Sequence, residues 1–151
     1  MDGSTLNNRY EIVRSIGHGG AAIVYLGRDL LLNRQVAIKI LRAQFASDPA
    51  YVERFQREAQ AAASFAHPNI IDIYDVGEVN DSPYIVMEYI PGDTLKEIIE
   101  NEGPFDPDDV AALIEQVAAG LDYAHARGII HRDVKPENIL LQGGHALVAD
   151  F

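Results

Sequence analysis

The chain has 151 residues but no cysteine and no tryptophan, and only 8% of its residues are aromatic. Without cysteine it cannot form a disulfide, a thiolate nucleophile or a cysteine metal site. Basic residues are scarce as well, with 12 Lys and Arg against 23 Asp and Glu. Because nucleic acid and anionic membranes require clustered cations, this balance argues against a general nucleic-acid-binding surface.

Long apolar runs are also missing from the sequence. A membrane-spanning helix needs about 20 consecutive apolar residues, and no segment approaches that length. The N-terminus has neither a basic secretory segment nor a glycine at position 2 for myristoylation. With 48% hydrophobic residues the chain can still form one core. Since it lacks a long apolar run and a secretory segment, we expect a cytoplasmic protein with no membrane segment in this chain.

Five strands and one helix are predicted in the first 89 residues. Alternating or β-branched segments indicate antiparallel strands at 10–16, 22–29, 35–42, 70–77 and 84–89, with residues 1–9 as a tail. Between the third and fourth strands, Ser47 or Asp48 is expected to cap a helix that has Pro49 in its first turn. His67-Pro68 ends that helix, because the residue before a proline avoids the α region.

Residues 90–93 interrupt this pattern and are expected to be a hinge. After them, Thr94 and Glu97 have the spacing of a capping box that opens a short helix. A longer helix is expected from Pro107, capped by Asp106, to Arg127. Apolar residues lie on almost every face of that helix, which is typical of a helix buried among partners. Two short strands are expected around 139–141 and 146–148.

Two motifs in the first part of the chain are ambiguous by themselves. Gly17, Gly19 and Gly20 lie between the first two strands, where glycines let a backbone approach phosphates closely, but an ordinary hairpin turn is the simpler explanation. Ala22 occupies the place where a third glycine is expected. Lys39 lies inside an apolar strand and needs an anionic partner if it is buried, for which Glu58 is the candidate. An edge-strand lysine that faces water is the alternative.

A third motif decides between these alternatives: His131-Arg132-Asp133-Val134-Lys135-Pro136-Glu137-Asn138, followed by Asp150-Phe151. Together with the Gly-rich turn, the strand lysine and the helix glutamate, in this order, it resembles the eukaryotic-type (Hanks-type) serine/threonine protein kinase family. The resemblance covers residues 10–151 and is greatest with bacterial members. It implies an α+β protein-kinase-like fold, with a small lobe at 10–89, a hinge at 90–93 and a partial large lobe at 94–151.

The resemblance implies that the chain binds ATP. The Gly-rich turn would cover the phosphates, Lys39 would hold the α- and β-phosphates, and Glu58 would hold Lys39 in place. It also implies that adenine lies between the apolar side chains of Val24, Ala37 and Leu140. Met87 would lie behind the base, and the backbone from Glu88 to Ile90 would hydrogen-bond to its edge.

The resemblance also implies Mg²⁺-dependent phosphoryl transfer. Asn138 and Asp150 would ligate Mg²⁺ through oxygen. Asp133 would accept or orient the proton of a Ser or Thr hydroxyl, and Lys135 would offset charge on the transferred phosphoryl group. Arg132 would receive a phosphorylated activation loop, whereas His131 is expected to be structural rather than a base.

Because the sequence ends inside the Asp-Phe-Gly motif of the family, we expect a fragment of a longer kinase, inactive by itself. A nucleotide-binding, pseudokinase-like module is the alternative, supported by Ala22 and by the end at Phe151. A small-molecule phosphotransferase is a further alternative, disfavoured by Arg132 and Lys135-Pro136-Glu137. The expected partners are ATP and proteins with Ser or Thr acceptors, without nucleic acid. Dimerisation and membrane anchoring of the parent protein are left open.

Overall fold

The computed structural model describes residues 3–151, which divide into two units. The first consists of the chain up to Ser64 together with Asp72–Tyr89, and the second of Phe65–Ile71 together with Ile90–Phe151. The connector Phe65–Ile71 therefore belongs to the second unit, although its neighbours in sequence on both sides belong to the first. Each unit has its own sheet.

The first unit consists of six antiparallel strands and two helices. They are β1 (Thr5–Leu6), β2 (Tyr10–His18), β3 (Ala22–Asp29), β4 (Arg34–Leu41), α1 (Ala43–Ala46), α2 (Pro49–Ala63), β5 (Ile73–Val79) and β6 (Ser82–Glu88). Their order across the sheet is β1-β2-β3-β4-β6-β5. The long connection through the helices thus returns the chain to the far edge, and β6 fills the space between β4 and β5.

Apolar side chains of this sheet form the core of the first unit. Val36, Ile38 and Ile40 occupy every second position of β4 and pack in one cluster with buried residues of β2 and β6. Ile38 has no exposed surface, and complete burial of such a side chain stabilises the fold by about 1.5–3 kcal/mol. Tyr10 and Tyr84 meet edge to face in the same cluster, with 6.4 Å between ring centroids.

Asp29, the last residue of β3, is a buried carboxylate that closes the turn to β4. Arg9 donates to both of its oxygens at 2.9 Å, and the backbone N–H groups of Leu31 and Leu32 donate to Oδ1. Bonding to Arg9, together with these amides, lowers the pKa of Asp29 to about 2, although burial acts in the opposite direction. The turn is therefore held by a carboxylate that stays ionised.

The helix α2 begins as the sequence predicts. Asp48 is its N-cap and accepts a hydrogen bond from Ala50 N at 3.0 Å, and Pro49 is the first helical residue. The one-turn helix α1 is not predicted. Nor is β1, in which Leu6 pairs with Tyr10 and is only 1% exposed. Burial of this one leucine attaches part of the predicted tail 1–9 to the sheet; residues 1 and 2 lie outside the described part of the chain.

The fourth predicted strand begins at Ile73 instead of residue 70. Ile70 and Ile71 are buried in the second unit, where Ile71 N donates to Val148 O at 3.1 Å and Ile70 forms a parallel bridge with Val148. This partner lies far along the chain. The local pattern of apolar residues therefore indicates an extended segment but not which unit it joins.

The second unit contains three short strands, two helices and a 3₁₀ turn. They are β7 (Asp93–Thr94), α3 (Leu95–Glu102), α4 (Pro107–Ala126), the 3₁₀ turn Pro136–Asn138, β8 (Ile139–Gln142) and β9 (His145–Val148). The predicted capping box is confirmed, because Glu97 N donates to Thr94 Oγ1 and Thr94 N donates to Glu97 Oε1. Just before β7, a Cβ on Gly92 would lie 2.1 Å from Leu141 O, so glycine is required for β7 to pair with β8.

The helix α4 is less buried than its apolar composition predicts. Val117 belongs to a cluster with residues of β8 and β9, and Gly120 and Ala124 are also buried. In contrast, Val110 and Ile114 are 41% and 58% exposed. None of the helices in residues 3–151 combines the length and the apolar character needed to cross a membrane.

Candidate active site

The Gly-rich turn joins β2 and β3. Gly17 pairs with Val24, and Gly19 N donates to Ala22 O at 2.9 Å, which closes the turn around Gly20 and Ala21. Ala22, in the place of the third glycine, is a residue of β3 opposite Leu41 and is 5% exposed. Because the methyl group of Ala22 is buried, having alanine instead of glycine at this position leaves the tip of the turn open.

The fold itself does not explain the glycines of this turn. A Cβ on Gly17 or Gly19 would meet no atom closer than 3.5 Å, and a Cβ on Gly20 would meet nothing within 4 Å. By comparison, a Cβ on Gly27, further along β3, would lie 2.4 Å from Ile38 Cδ1. Gly17, Gly19 and Gly20 also lack positive φ. Neither a close contact nor a positive φ therefore requires glycine at these three positions, and their role in phosphate binding stays a prediction.

Four of the predicted nucleotide contacts lie on one face of the first sheet. Val24 is directly opposite Lys39, and Ala37 is directly opposite Met87. Because Ala37 and Lys39 are two residues apart on β4, all four side chains project from the same face. Ala37 is 7% exposed, whereas Val24, Lys39 and Met87 are half-buried. The sheet thus presents one cation beside an apolar surface.

Glu58 is the residue predicted to hold Lys39 in place. It lies on α2 with an exposed side chain. Phe55, also on α2, lies near Lys39, with its ring centroid 5.9 Å from Nζ. The helix therefore turns Phe55, one turn before Glu58, towards the lysine, and the predicted pairing with Glu58 stays a prediction.

The remaining predicted adenine contacts are divided between the two units. Glu88 ends β6, where its N–H donates to Asp72 O at 2.9 Å and its Oε1 accepts from Asp72 N at 3.2 Å. Ile90 is a buried residue of the second unit, and Leu140 is half-buried on β8. Their assignment to the adenine site stays a prediction.

In the second unit, His131 fixes the loop that carries Asp133. The imidazole is 5% exposed; its Nε2–H donates to Ala149 O at 2.7 Å and its Nδ1 accepts from Asp133 N at 3.1 Å. Since a carbonyl can only accept and a backbone N–H can only donate, the ring is a neutral Nε2–H tautomer. Its edge packs against Phe151, with 4.7 Å between centroids. A single side chain thus ties the loop to the end of β9.

Backbone strain is concentrated at the same place. Within residues 3–151, seven residues other than glycine have positive φ, and five of them are Asn or Asp in turns, where such residues are common. The other two are Arg132, with φ of 73°, and Asp150, with φ of 60°. Conformations of this kind cost about 1–3 kcal/mol and persist where the surroundings enforce them. The bonds of His131, which lies beside Arg132, supply that enforcement.

Asn138 supports Asp133 from the other side. It is 7% exposed, and its Nδ2 donates to Asp133 O at 2.8 Å and to Asp133 Oδ2 at 3.3 Å. Lys135 Nζ lies 3.2 Å from Asp133 Oδ2, and the side chains of Lys135 and Asp133 are both exposed. A carboxylate is therefore positioned by a buried amide and accompanied by a cation, while it remains accessible to a substrate.

The oxygens predicted to hold Mg²⁺ are suited to that ion. Since Nδ2 of Asn138 is used for Asp133, its amide oxygen is the atom left for a cation. Ala149 N donates to the backbone carbonyl oxygen of Asn138 at 2.9 Å, so the residue before Asp150 is bonded directly to Asn138. No three Asp, Glu or His side chains converge on a metal position within residues 3–151. One amide and one carboxylate fit Mg²⁺, which commonly takes its other ligands from phosphate and water.

A polar network that the sequence does not predict supports β9. Asn69 Nδ2 donates to Ala146 O at 2.9 Å and to Gln116 Oε1 at 3.2 Å, and Gln116 also accepts from Ala146 N at 2.8 Å. Gln116 Nε2 donates to Gly144 O at 2.9 Å. The connector, α4 and β9 are thus joined by hydrogen bonds between residues far apart in sequence. No local sequence pattern reveals such a network.

Comparisons with known proteins agree with this geometry. Residues 10–151 match the family described as the protein kinase domain. The chain is 50% identical over 150 residues to the serine/threonine-protein kinase PrkC of Bacillus subtilis, covering 99% of this chain and 23% of that protein. It is 47% identical over 153 residues to the serine/threonine-protein kinase PknB of Mycobacterium tuberculosis, covering 98% of this chain and 24% of the relative.

A solved structure shows the same fold. The kinase domain of M. tuberculosis PknI superposes with a TM-score of 0.89 at 35% identity, over 100% of this chain and 61% of that one. The chain thus spans about a quarter of the length of these curated relatives and less than two thirds of the solved kinase domain. The predicted α+β kinase fold and the predicted family are both confirmed, and the chain belongs to the protein kinase family.

Proposed function

We propose that the protein containing this chain is a serine/threonine protein kinase, which transfers the γ-phosphoryl group of ATP to Ser or Thr hydroxyls of proteins. The observation that carries the proposal is the arrangement around Asp133, which His131 and Asn138 hold in place while its carboxylate stays exposed. The relatives named as serine/threonine-protein kinases support the choice of acceptor. Because the reaction needs ATP, we propose that the kinase domain lies in the cytoplasm.

The first unit supplies groups for nucleotide binding. Backbone N–H groups of the open Gly-rich turn are available to phosphate oxygens, and Lys39 adds a cation on the neighbouring sheet face. The apolar side chains of Val24, Ala37 and Met87 on that face suit a flat base. Phosphates and base would therefore be recognised by different parts of one sheet.

The second unit supplies groups for the transfer. The Asp133 carboxylate orients the acceptor hydroxyl and takes its proton as a new oxygen–phosphorus bond forms and the bond to ADP breaks. Lys135 Nζ, beside the same carboxylate, offsets negative charge on the phosphoryl oxygens. Asn138 and Asp150 would hold Mg²⁺, which neutralises phosphate charge when bound. Positioning and electrostatics do most of this chemistry.

The test is phosphoryl transfer by the full-length protein with γ-labelled ATP and peptides that contain Ser and Thr. Asp133→Asn keeps the size of the side chain but removes the base, so we expect turnover to fall by about a hundredfold or more. Asp122→Asn is the matched control, because Asp122 is an exposed residue of α4 outside the loop. An unchanged rate in the Asp133 variant would remove this residue from its proposed role.

The same assay separates the alternatives. Phosphoserine or phosphothreonine in the product supports a protein kinase, and label found only on a small molecule points to a small-molecule phosphotransferase. Binding of Mg·ATP by the wild type without any transfer would indicate a pseudokinase-like module.

A further inference from the structure

We propose that Arg42 is a positioning residue that clamps the Gly-rich turn and thereby raises the affinity of the protein for nucleotide. The inference rests on the proposed function, because it concerns the use of that turn for ATP phosphates. Arg42 follows β4 directly and is opposite Ala21, where it contacts the turn through both its backbone and its side chain.

Two hydrogen bonds join Arg42 to the turn. Its backbone N–H donates to Ala21 O at 2.8 Å, and a terminal guanidinium nitrogen donates to Gly19 O at 3.3 Å. The bond from Gly19 N to Ala22 O is the closure that the turn makes within itself. Arg42 therefore holds the turn at two points from a neighbouring strand.

The position of Arg42 is itself fixed. It is the N-cap of α1, and its carbonyl accepts from the N–H groups of Phe45 and Ala46 at 2.9 Å each. The side chain is half-buried, and its Nε is buried without a hydrogen-bond partner among the described residues. Strand β4, which also carries Lys39, and helix α1 thus fix the backbone of Arg42, and the bond to Gly19 O holds its guanidinium.

The turn needs such a clamp because its own residues restrain it little. Glycine loses more conformational freedom on ordering than any other residue, and no atom within 4 Å of a Cβ on Gly20 confines the tip. A ligand that binds N–H groups of a mobile turn must also supply the cost of ordering it. With Arg42 in place the turn is ordered beforehand, so its loss should weaken nucleotide binding more than it slows the transfer.

Three variants of the full-length protein test this role. Arg42→Met keeps the length of the buried stem but removes the donors, Arg42→Lys restores a donor, and Arg28→Ala is the control. Arg28 is an exposed arginine of β3 whose side chain bonds to Asn33, in the turn at the other end of the hairpin. The Arg28→Ala variant therefore removes the same charge and a comparable contact with a turn, but at a distance from the Gly-rich turn.

The first measurement is amide hydrogen exchange of residues 19–22 without nucleotide. We expect Arg42→Met to accelerate exchange in this turn, with the other β-strands unchanged, and Arg42→Lys and Arg28→Ala to behave like the wild type. Because no ligand is present, this result does not depend on the proposed function. Equal exchange in Arg42→Met and the wild type would overturn the clamp.

The second measurement is the KM for Mg·ATP together with kcat. Loss of one charge-assisted hydrogen bond predicts a KM raised by about threefold to tenfold in Arg42→Met, with kcat nearly unchanged and recovery in Arg42→Lys. An unchanged KM, or a kcat that falls together with the melting temperature, would overturn the positioning role. If the wild type fails to bind Mg·ATP, the proposed function fails and the nucleotide role of Arg42 fails with it, while the exchange result still reports on the clamp itself.

Discussion

The two units differ in what supports their proposed site residues. In the first unit an apolar cluster around Ile38 provides the support, and Lys39 and the Gly-rich turn lie half-buried or exposed on the sheet above it. In the second unit the buried residues include His131 and Asn138, whose hydrogen bonds shape the loop that carries Asp133. Packing therefore supports the sheet face that carries Lys39, with Arg42 bonded to the adjoining Gly-rich turn, whereas polar bonds shape the loop that carries Asp133. The two units should respond differently to the same kind of truncation.

The largest effect on stability is expected from Ile38→Ala in the first unit. Ile38 has no exposed surface and packs in the main cluster, so truncation leaves a cavity and should lower the free energy of unfolding by about 3–4 kcal/mol. Ile114→Ala, at a 58% exposed position of α4, should change it by less than about 0.5 kcal/mol. Denaturant unfolding measures both. Equal effects would show that the exposed face of α4 is in fact covered.

A smaller loss of stability but a larger loss of activity is expected from His131→Ala in the second unit. The variant removes two hydrogen bonds and the ring contact with Phe151, which should lower the free energy of unfolding by about 2 kcal/mol. Because Asp133 N loses its acceptor, phosphoryl transfer should fall as well. His125→Ala, at an exposed position near the end of α4, is the control. Normal transfer by the His131 variant would contradict a polar origin of the loop geometry.

The smallest effect is a pH dependence of the first unit. Bonding to Arg9 lowers the pKa of Asp29 to about 2, below the value near 3.9 of an unfolded aspartate. The stabilisation is therefore complete above about pH 4 and is lost as the pH falls towards 2. Urea midpoints between pH 5 and pH 2 should fall less for Asp29→Asn than for the wild type, whereas Asp122→Asn should follow the wild type. Parallel curves for all three proteins would show that the pair with Arg9 does not contribute.

Local signals predict the starts of helices and the sheet strands well. Asp48 with Pro49, and Thr94 with Glu97, place two helix starts correctly because capping depends on residues only two or three positions apart. The kinase motifs likewise predict the family, because the order in which they follow one another along the chain is specific. Short segments such as β1 escape notice, because a single buried Leu6 has no periodicity.

The site is less predictable where it depends on long-range contacts. The residues Val24, Ala37, Lys39 and Met87 share a face because of strand register, which alternation within each strand only partly indicates. Arg42, which follows β4, bonds to Gly19 in the turn between β2 and β3, and Asn69 bonds to Gln116 and Ala146. Phe55 comes close to Lys39 because of how α2 packs on the sheet. Such contacts depend on the completed fold.

The tautomer of His131 has a consequence for chemical modification. Acylating reagents attack the unprotonated imidazole nitrogen, and in His131 that atom is Nδ1, which is occupied by Asp133 N in a ring that is 5% exposed. His18, His125 and His145 are exposed. An acylating reagent should therefore label those three histidines well before His131, and label appearing at His131 would report that its loop has opened.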